Sequence, residues 1–409
     1  MRRGCASVEE LKSAVLREKK ASGPDAPVSA VYPRWVRVNA VRTTLDAQLK
    51  GTFSGYKVVQ TLSDLGGDGD NDKRLFIDPH IPDLLAVPSG IEFSASQAYK
   101  RGEIILQDKA SCFPAYLLAG EWGVEGDLVD GCAAPGNKTT HLAALLPTQN
   151  RSRKFNNGII SMDSSPARSK TLAKMVSAAG ADDLVTVLQG QDFLAIDPAT
   201  DLRFSRVTGL LLDPSCSGSG IVGRDDIPRL LVPESPQQTV RPGKKRKRGT
   251  PTPTPTPTST RTGDSDSTEK DAERLVKLSN LQAHIVEHAL SFPSATRVTY
   301  STCSIHEIEN EAVVARVLRS DVARRRGWRV LRREEQPVGL KGWAARGQVS
   351  GGETLLTDEE MQGCLRCWPS DEEGVGGFFV VGFVRAESAS GDVEDKADKA
   401  DEEWEGFSD

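Results

Sequence analysis

The chain has 409 residues, of which 38% are hydrophobic, 27% charged and 6% aromatic, with a formal net charge of −5. That length suggests two to three domains around aliphatic cores. No run approaches the roughly 18 apolar residues of a membrane span, which excludes an integral helical membrane protein. The opening residues, Met1 to Glu10, carry no apolar stretch of the secretory kind.

Residues 1–30 hold a short helical pattern, Val8 to Lys20, read as a helical remnant. Pro33-Arg34-Trp35-Val36-Arg37-Val38-Asn39 alternates apolar and basic residues, which predicts a strand with one basic face. Arg34, Arg37 and Arg42 are then candidates for phosphate contacts, or for a merely solvated face. A helix over Thr43 to Lys50 and strands at Tyr56–Val59 and Leu75–Ile77 complete a small α+β domain over 31–100.

From residue 101 to 385 strands alternate with helices. The predicted strands end at Asp130, Asp163, Leu188, Asp213 and Ser301, with a last one over Gly377 to Phe383. Helices fall at Thr139–Leu146, Pro166–Ala179 and Ala272–Leu290. Such βα units imply a doubly wound, mostly parallel sheet. Residues 233–270 interrupt it with Lys244-Lys245-Arg246-Lys247-Arg248 and a Thr-Pro repeat. Alternating Thr and Pro fits neither helix nor central strand, so this is read as a disordered insertion. Its basic run is of the nuclear-localisation or RNA-tethering kind. From Ala386 to Asp409, ten acids and two lysines make a tail of charge −8 and leave the body near +3. Such a tail is expected to be disordered.

The seven cysteines are irregularly spaced, so no disulfide framework is expected. Cys364 and Cys367 form a lone CxxC, short of the four ligands of a structural zinc site, and no metal site is assigned. Cys216 and Cys303 differ: each follows a predicted strand directly, in Asp213-Pro214-Ser215-Cys216 and Thr302-Cys303-Ser304. Adjacent strand ends lie about 4.8 Å apart, so both thiols can share one cleft. For either alone, a small buried hydrophobe is the commoner fate. The turn Asp130 to Thr139 joins a strand to a helix through small residues, which lets a ligand approach the helix N-terminus. Asp163 stands where an acid meets ribose hydroxyls, or else caps the next helix, and Asp192 either accepts from an adenine amino group or solvates a loop. A cysteine pair, an acid and a cofactor turn suit one reaction well. A thiolate adding to C6 of a pyrimidine makes C5 nucleophilic toward an electrophilic methyl group, and a carboxyl such as Asp213 holds the ring.

Gln107-Asp108-Lys109-Ala110-Ser111, Asp130 to Thr139, Asp213 to Gly220 and Thr302-Cys303-Ser304 resemble, in order and spacing, the signature motifs of the NSUN (Nop/Sun, Fmu-like) family of RNA cytosine-C5 methyltransferases. The likeness covers residues 31–232 and 271–385, and Asp-Pro-Ser-Cys-Ser-Gly-Ser-Gly is most similar to the fifth branch, which acts on large-subunit rRNA. The resemblance implies a Rossmann-like methyltransferase fold behind a small RNA-binding domain, with S-adenosyl-L-methionine as cofactor. It assigns cofactor binding to Cys132, Ala133, Ala134, Pro135, Gly136, Asn137, Lys138, Asp163, Arg168, Asp192 and Asp213. It also implies Cys303 as nucleophile, Cys216 in product release, Asp213 beside the base and Lys109 on the target cytidine. The expected partner is large-subunit rRNA or a pre-ribosomal particle, met by a monomer in the nucleus or nucleolus. Three rivals stand beside this reading, among them a DNA cytosine methyltransferase, which would use Cys216 as the nucleophile. Another is the same chemistry on tRNA; the third is a non-catalytic ribosome-assembly factor, against which the intact Cys216, Cys303 and Asp213 argue.

Overall fold

The computed structural model describes residues 32–66, 73–121, 125–146, 158–221, 264–348, 356–369 and 373–385. The helical pattern at 8–20, the basic run at 244–248 and the acidic tail lie outside the described residues.

Among the described residues the strands form two sheets. The first comprises β1 (Arg34–Val38), β2 (Lys57–Val59), β3 (Arg74–Ile77), β4 (Leu84–Val87) and β5 (Ile104–Leu106), in the order β2-β3-β4-β1-β5. β1 runs antiparallel to β4 and to β5. One face presents Val36, Val38, Leu75, Leu85 and Ile104 to Phe53, Phe93 and the apolar side of α1 (Leu45–Lys50). β4 escapes a reading by alternation because all four of its residues are buried. β5 lies beyond residue 100, where the sequence suggests a division, because its ladder with β1 is what closes this sheet.

The expected basic face of β1 does not form. Arg37 is 1% exposed. Its Nε donates to Gln107 Oε1 at 2.7 Å and its Nη2 to Thr140 Oγ1 at 2.9 Å, and burial lowers its pKa to about 10. Arg42 donates to the carbonyls of Ser177 and Ala178, and Arg34 pairs with Glu92 at 3.1 Å. Trp35 and Arg37 alternate with Val36 and Val38, so they point to the opposite face, which docks on the rest of the chain.

The second sheet contains β6 (Asp127–Asp130), β7 (Ile159–Asp163), β8 (Val185–Gln189), β9 (Val207–Leu212), β10 (Arg297–Thr302), β11 (Trp328–Val330), β12 (Leu365–Cys367) and β13 (Phe378–Arg385). Its order is β11-β13-β10-β9-β6-β7-β8, with β12 also on β13. β6 to β10 are parallel; β13 is antiparallel to β10. Leu210, Leu211 and Leu212 are each fully buried because helices cover both faces. After α2 (Gln97–Lys100), the helices α3 (Lys109–Ala119), α4 (Asn137–Leu145) and α5 (Pro166–Ala178) pack on one face. On the other lie α6 (Asp264–Leu290) and α7 (Glu311–Leu318). This is the doubly wound fold the sequence predicts. α6 begins at Asp264, inside the stretch read as insertion. The chain runs from β6 out to β8, then returns to β9 on the other side of β6. That reversal opens a crevice beyond the carboxyl ends of β6 and β9.

Candidate active site

β6 ends at Asp130, and the chain turns through Gly131 to Gly136 into α4. Gly136 has φ +120°, and a Cβ there would sit 3.0 Å from Met175 Cβ, so only glycine suits this entry to the helix. Ala133 and Ala134 are buried and Pro135 is exposed. The Ala133 N–H donates to the Met162 carbonyl at 2.9 Å and ties the turn to β7. Asp130 is fully buried beneath it. Thr139 Oγ1 donates to Asp130 Oδ2 at 2.7 Å, Oδ1 has no hydrogen-bond partner among the described residues, and burial pushes the carboxyl up to about 7.

The crevice is a cleft of about 260 Å³. Gly131, Cys132, Asp163, Arg168, Asp192 and Asp213 line it, and Phe193, Leu194, Pro214 and Ile285 supply apolar walls. Asp163 Oδ1 accepts from the Ser165 N–H at 3.0 Å, and its Oδ2 lies 3.3 Å from Arg168 Nη2. Arg168 also donates to the Ala134 carbonyl at 2.7 Å, which couples that acid to the turn. Asp192 caps the following turn through the Leu194 N–H. Burial pushes the Cys132 thiol up, leaving it a neutral wall group. Carboxylates at two strand ends with flat apolar walls between them suit a nucleoside that carries positive charge.

Beyond β9 and β10 the two sulfurs meet: Cys216 Sγ and Cys303 Sγ are 3.1 Å apart, and both are free thiols. Lys138 Nζ lies 2.8 Å from Asp213 Oδ2, and Ser301 Oγ donates to Asp213 Oδ1 at 2.7 Å. Lys138 also donates to Ser111 Oγ at 3.0 Å. One thiol hydrogen is shared across this contact; with Cys216 as its donor, and with the Lys138 ammonium favouring a thiolate as well, Cys303 is held below the ordinary thiol range while Cys216 is pushed up. Lys138, expected among cofactor ligands, is thus drawn by Asp213 to the cysteine side. Sequence reasoning left out Ser111 and Ser301, though Ser111 stands inside a segment singled out for its motif and Ser301 ends a predicted strand.

Lys109 goes elsewhere. Its side chain is fully buried. Its Nζ lies 3.0 Å from Asp78 Oδ2, 2.7 Å from Glu373 Oε2 and 3.1 Å from His80 Nδ1, above the rings of Trp35 and Trp343. The Nζ donates to Glu373 Oε2 and sits in ion-pair range of Asp78, so this ammonium joins the small sheet to the larger domain. Cys364 and Cys367 are buried in two different apolar clusters.

The model for the ferredoxin-like domain of NOL1/NOP2/Sun domain family member 5 matches residues 32–107, and that for 16S rRNA methyltransferase RsmB/F matches 119–245. The 26S rRNA (cytosine-C(5))-methyltransferase nsun-5 of Caenorhabditis elegans is 32% identical over 87% of this chain and 68% of that protein. The chain belongs to the NOL1/NOP2/Sun family. The 25S rRNA (cytosine-C(5))-methyltransferase rcm1 of Schizosaccharomyces pombe is 38% identical over 87% of the chain. The chain spans 63% of that relative's length. A methyltransferase homologue from Pyrococcus horikoshii matches with TM-score 0.56 at 18% identity, covering 87% of each chain, a likeness of fold. No helix among the described residues is long and apolar enough to cross a membrane.

Proposed function

We propose that the protein is an S-adenosyl-L-methionine-dependent methyltransferase that acts on cytosine C5 of large-subunit rRNA. The observation that carries this reading is the pair of thiols 3.1 Å apart beside the Asp213–Lys138 ion pair, at the rim of a nucleoside-sized cleft. The cleft fits the cofactor. A Cβ on Gly131 would lie 3.0 Å from both Phe193 Cδ2 and Leu212 Cδ2, so glycine keeps the floor open. Asp163 would take the ribose hydroxyls and Asp192 the adenine amino group, with Cys132 to Asn137 forming the turn. When bound, the cofactor supplies an electrophilic methyl group to C5.

The protein's own groups do the rest. Cys303 enters as thiolate, favoured by Lys138 and the Cys216 S–H, and adds to C6 of the cytosine. Electron density then moves to C5 and N3. Asp213, oriented by Ser301 and Lys138, holds the N3 and N4 edge where charge develops. Cys216 stays protonated during attack. Once C5 carries the methyl group, water takes the C5 proton, the C–H electron pair restores the C5–C6 double bond, and Cys303 leaves as a thiolate stabilised by the S–H of Cys216. Attack on C6 needs both faces of the base, so the target cytidine must stand outside any helix.

The names of the relatives support rRNA over tRNA, and that substrate together with the basic run at 244–248 supports a nuclear or nucleolar site. The protein is proposed to act as a monomer on RNA or a pre-ribosomal particle. The test is covalent capture. Cys216→Ala, expressed in its own cells, is expected to accumulate SDS-stable protein–RNA adducts whose reads map to large-subunit rRNA. Cys216→Ala/Cys303→Ala should give none. Adducts that persist in the double variant would overturn Cys303 as nucleophile, and reads that map to tRNA would overturn the substrate. Absence of adducts from a folded, cofactor-binding Cys216→Ala protein would favour an assembly factor.

A further inference from the structure

The two thiols sit on separate loops, one after β9 and one after β10, with no covalent link between them. Something must hold their sulfurs 3.1 Å apart. Two consecutive residues do so, and no motif reading drew attention to either. Glu309 and Asn310 lie just before α7, and both are fully buried.

Asn310 grips the Cys303 loop on both sides of the cysteine. Thr302 Oγ1 donates to Asn310 Oδ1 at 2.6 Å, and Asn310 Nδ2 donates to the Ser304 carbonyl at 2.9 Å. Glu309 does the same for the Cys216 loop. The Ser217 N–H donates to Glu309 Oε1 at 2.9 Å. Gln282 Nε2 on α6 donates to that same oxygen at 3.0 Å and to the Ser215 carbonyl at 3.0 Å. Tyr300 Oη donates to the Glu309 carbonyl, so the whole device is anchored to β10. Ser219 stitches the loops together: its Oγ lies 3.2 Å from Ser304 Oγ and accepts from the Ile305 N–H at 3.1 Å. Gly220 closes the far side, its N–H donating to the Cys303 carbonyl at 3.0 Å.

We propose that Glu309 and Asn310, tied through Ser219, are positioning residues that set the spacing of Cys216 and Cys303, so that one thiol hydrogen is always shared with the other sulfur. This rests on the reading of Cys303 as the reactive thiol. The groups that face Cys303 are Cys216 and Asp213 beyond β9 and Lys138 on α4. Of these, Cys216 is the one whose distance the clamp controls. Glu309 Oε1 accepts twice at the loop that bears Cys216, while its Oε2 has no hydrogen-bond partner among the described residues, so the cost of burying the carboxylate is offset through Oε1 alone.

The test needs neither RNA nor cofactor, so it stands apart from the outcome of adduct capture. The full chain is alkylated with iodoacetamide across pH 6 to 10, and modification of Cys303 is followed at the peptide level. Cys216→Ala removes the donor thiol and is expected to slow Cys303 alkylation at neutral pH roughly tenfold, an upward move of about one pKa unit. Glu309→Ala and Asn310→Ala should shift the profile the same way, and Glu309→Gln, which keeps a carbonyl oxygen for Ser217 and Gln282, should restore it. In a Cys216→Ala background the clamp variants should add nothing. Ser219 is exposed, so Ser219→Ala folds whatever becomes of the buried variants, and it should give a smaller shift of the same sign. An unchanged profile in Ser219→Ala and in folded Asn310→Ala would overturn the proposal. So would full additivity with Cys216→Ala, which would mean that the clamp acts on the fold and not on the pair.

Discussion

Replacing Lys109 by methionine separates a structural ammonium from a catalytic one. Both Lys109 and Asp78 have fully buried side chains, 3.0 Å apart, and Glu373, the second acid, is 40% exposed. Methionine keeps the stem and packs well against Trp35 and Trp343. The loss is therefore mainly electrostatic, because the Asp78 carboxylate stays buried without its cation. Removing one partner of a buried pair costs about 3–5 kcal/mol. Two features push toward the lower end: Glu373 can turn to water, and Asp78 still accepts from the His80 N–H at 2.7 Å. A cost near 3 kcal/mol corresponds to a fall in Tm of roughly 6–12 °C for a domain of this size. The cost also depends on pH. Burial alone would raise the Asp78 pKa, but His80 and Lys109 outweigh it and hold the carboxyl low, so its contribution is present above the unfolded pKa and lost as pH falls through the folded one. Without Lys109 the carboxyl should protonate more readily, and the gap between variant and wild type should narrow toward pH 4. Urea unfolding followed by tryptophan fluorescence at pH 7 and pH 4.5 measures both effects, and Lys109→Met/Asp78→Asn should recover part of the loss. An unchanged Tm together with lost methyl transfer would refute this reasoning and return Lys109 to the substrate.

Asp130 predicts the opposite slope. Its folded pKa is raised to about 7 by burial, so its stabilising effect is complete below the unfolded carboxyl pKa and is lost as pH rises from about 4 through 7. Asp130→Asn should flatten the decline in stability across that window, and thermal melts at pH 5 and 8 that keep the wild-type slope would contradict it. Lys138→Met should leave the fold intact but remove the cation beside Asp213 and Cys303, with methyl transfer down about a hundredfold or more and Cys303 alkylation slowed. Measured activity close to wild type would place the essential cation elsewhere.

The sequence by itself determined the sheet and the place of the thiols. β9 is a short apolar run that leads to Asp213, and β6 and β7 are short stretches that end in Asp130 and Asp163, with turn residues after each, as strands of a covered sheet read. Cys303 follows β10 directly and Cys216 stands just beyond β9, so local position puts both at the same end of the sheet, and the pairing of β9 with β10 brings them together. The lysines and arginines were different. Arg37 reads as an exposed basic residue until Gln107 and Thr140, 70 and 103 positions away, are seen to enclose it. Lys109 and Lys138 both stand in motifs, and nothing local says that Asp78 and Glu373 bury the first while Asp213 draws the second to the thiols. Glu309 and Asn310 look like an ordinary polar entry to a helix, yet both are buried against loops from β9 and β10. A long polar side chain is decided by whichever partner satisfies it once water is gone. That partner usually comes from another part of the chain, so only the tertiary structure decides it.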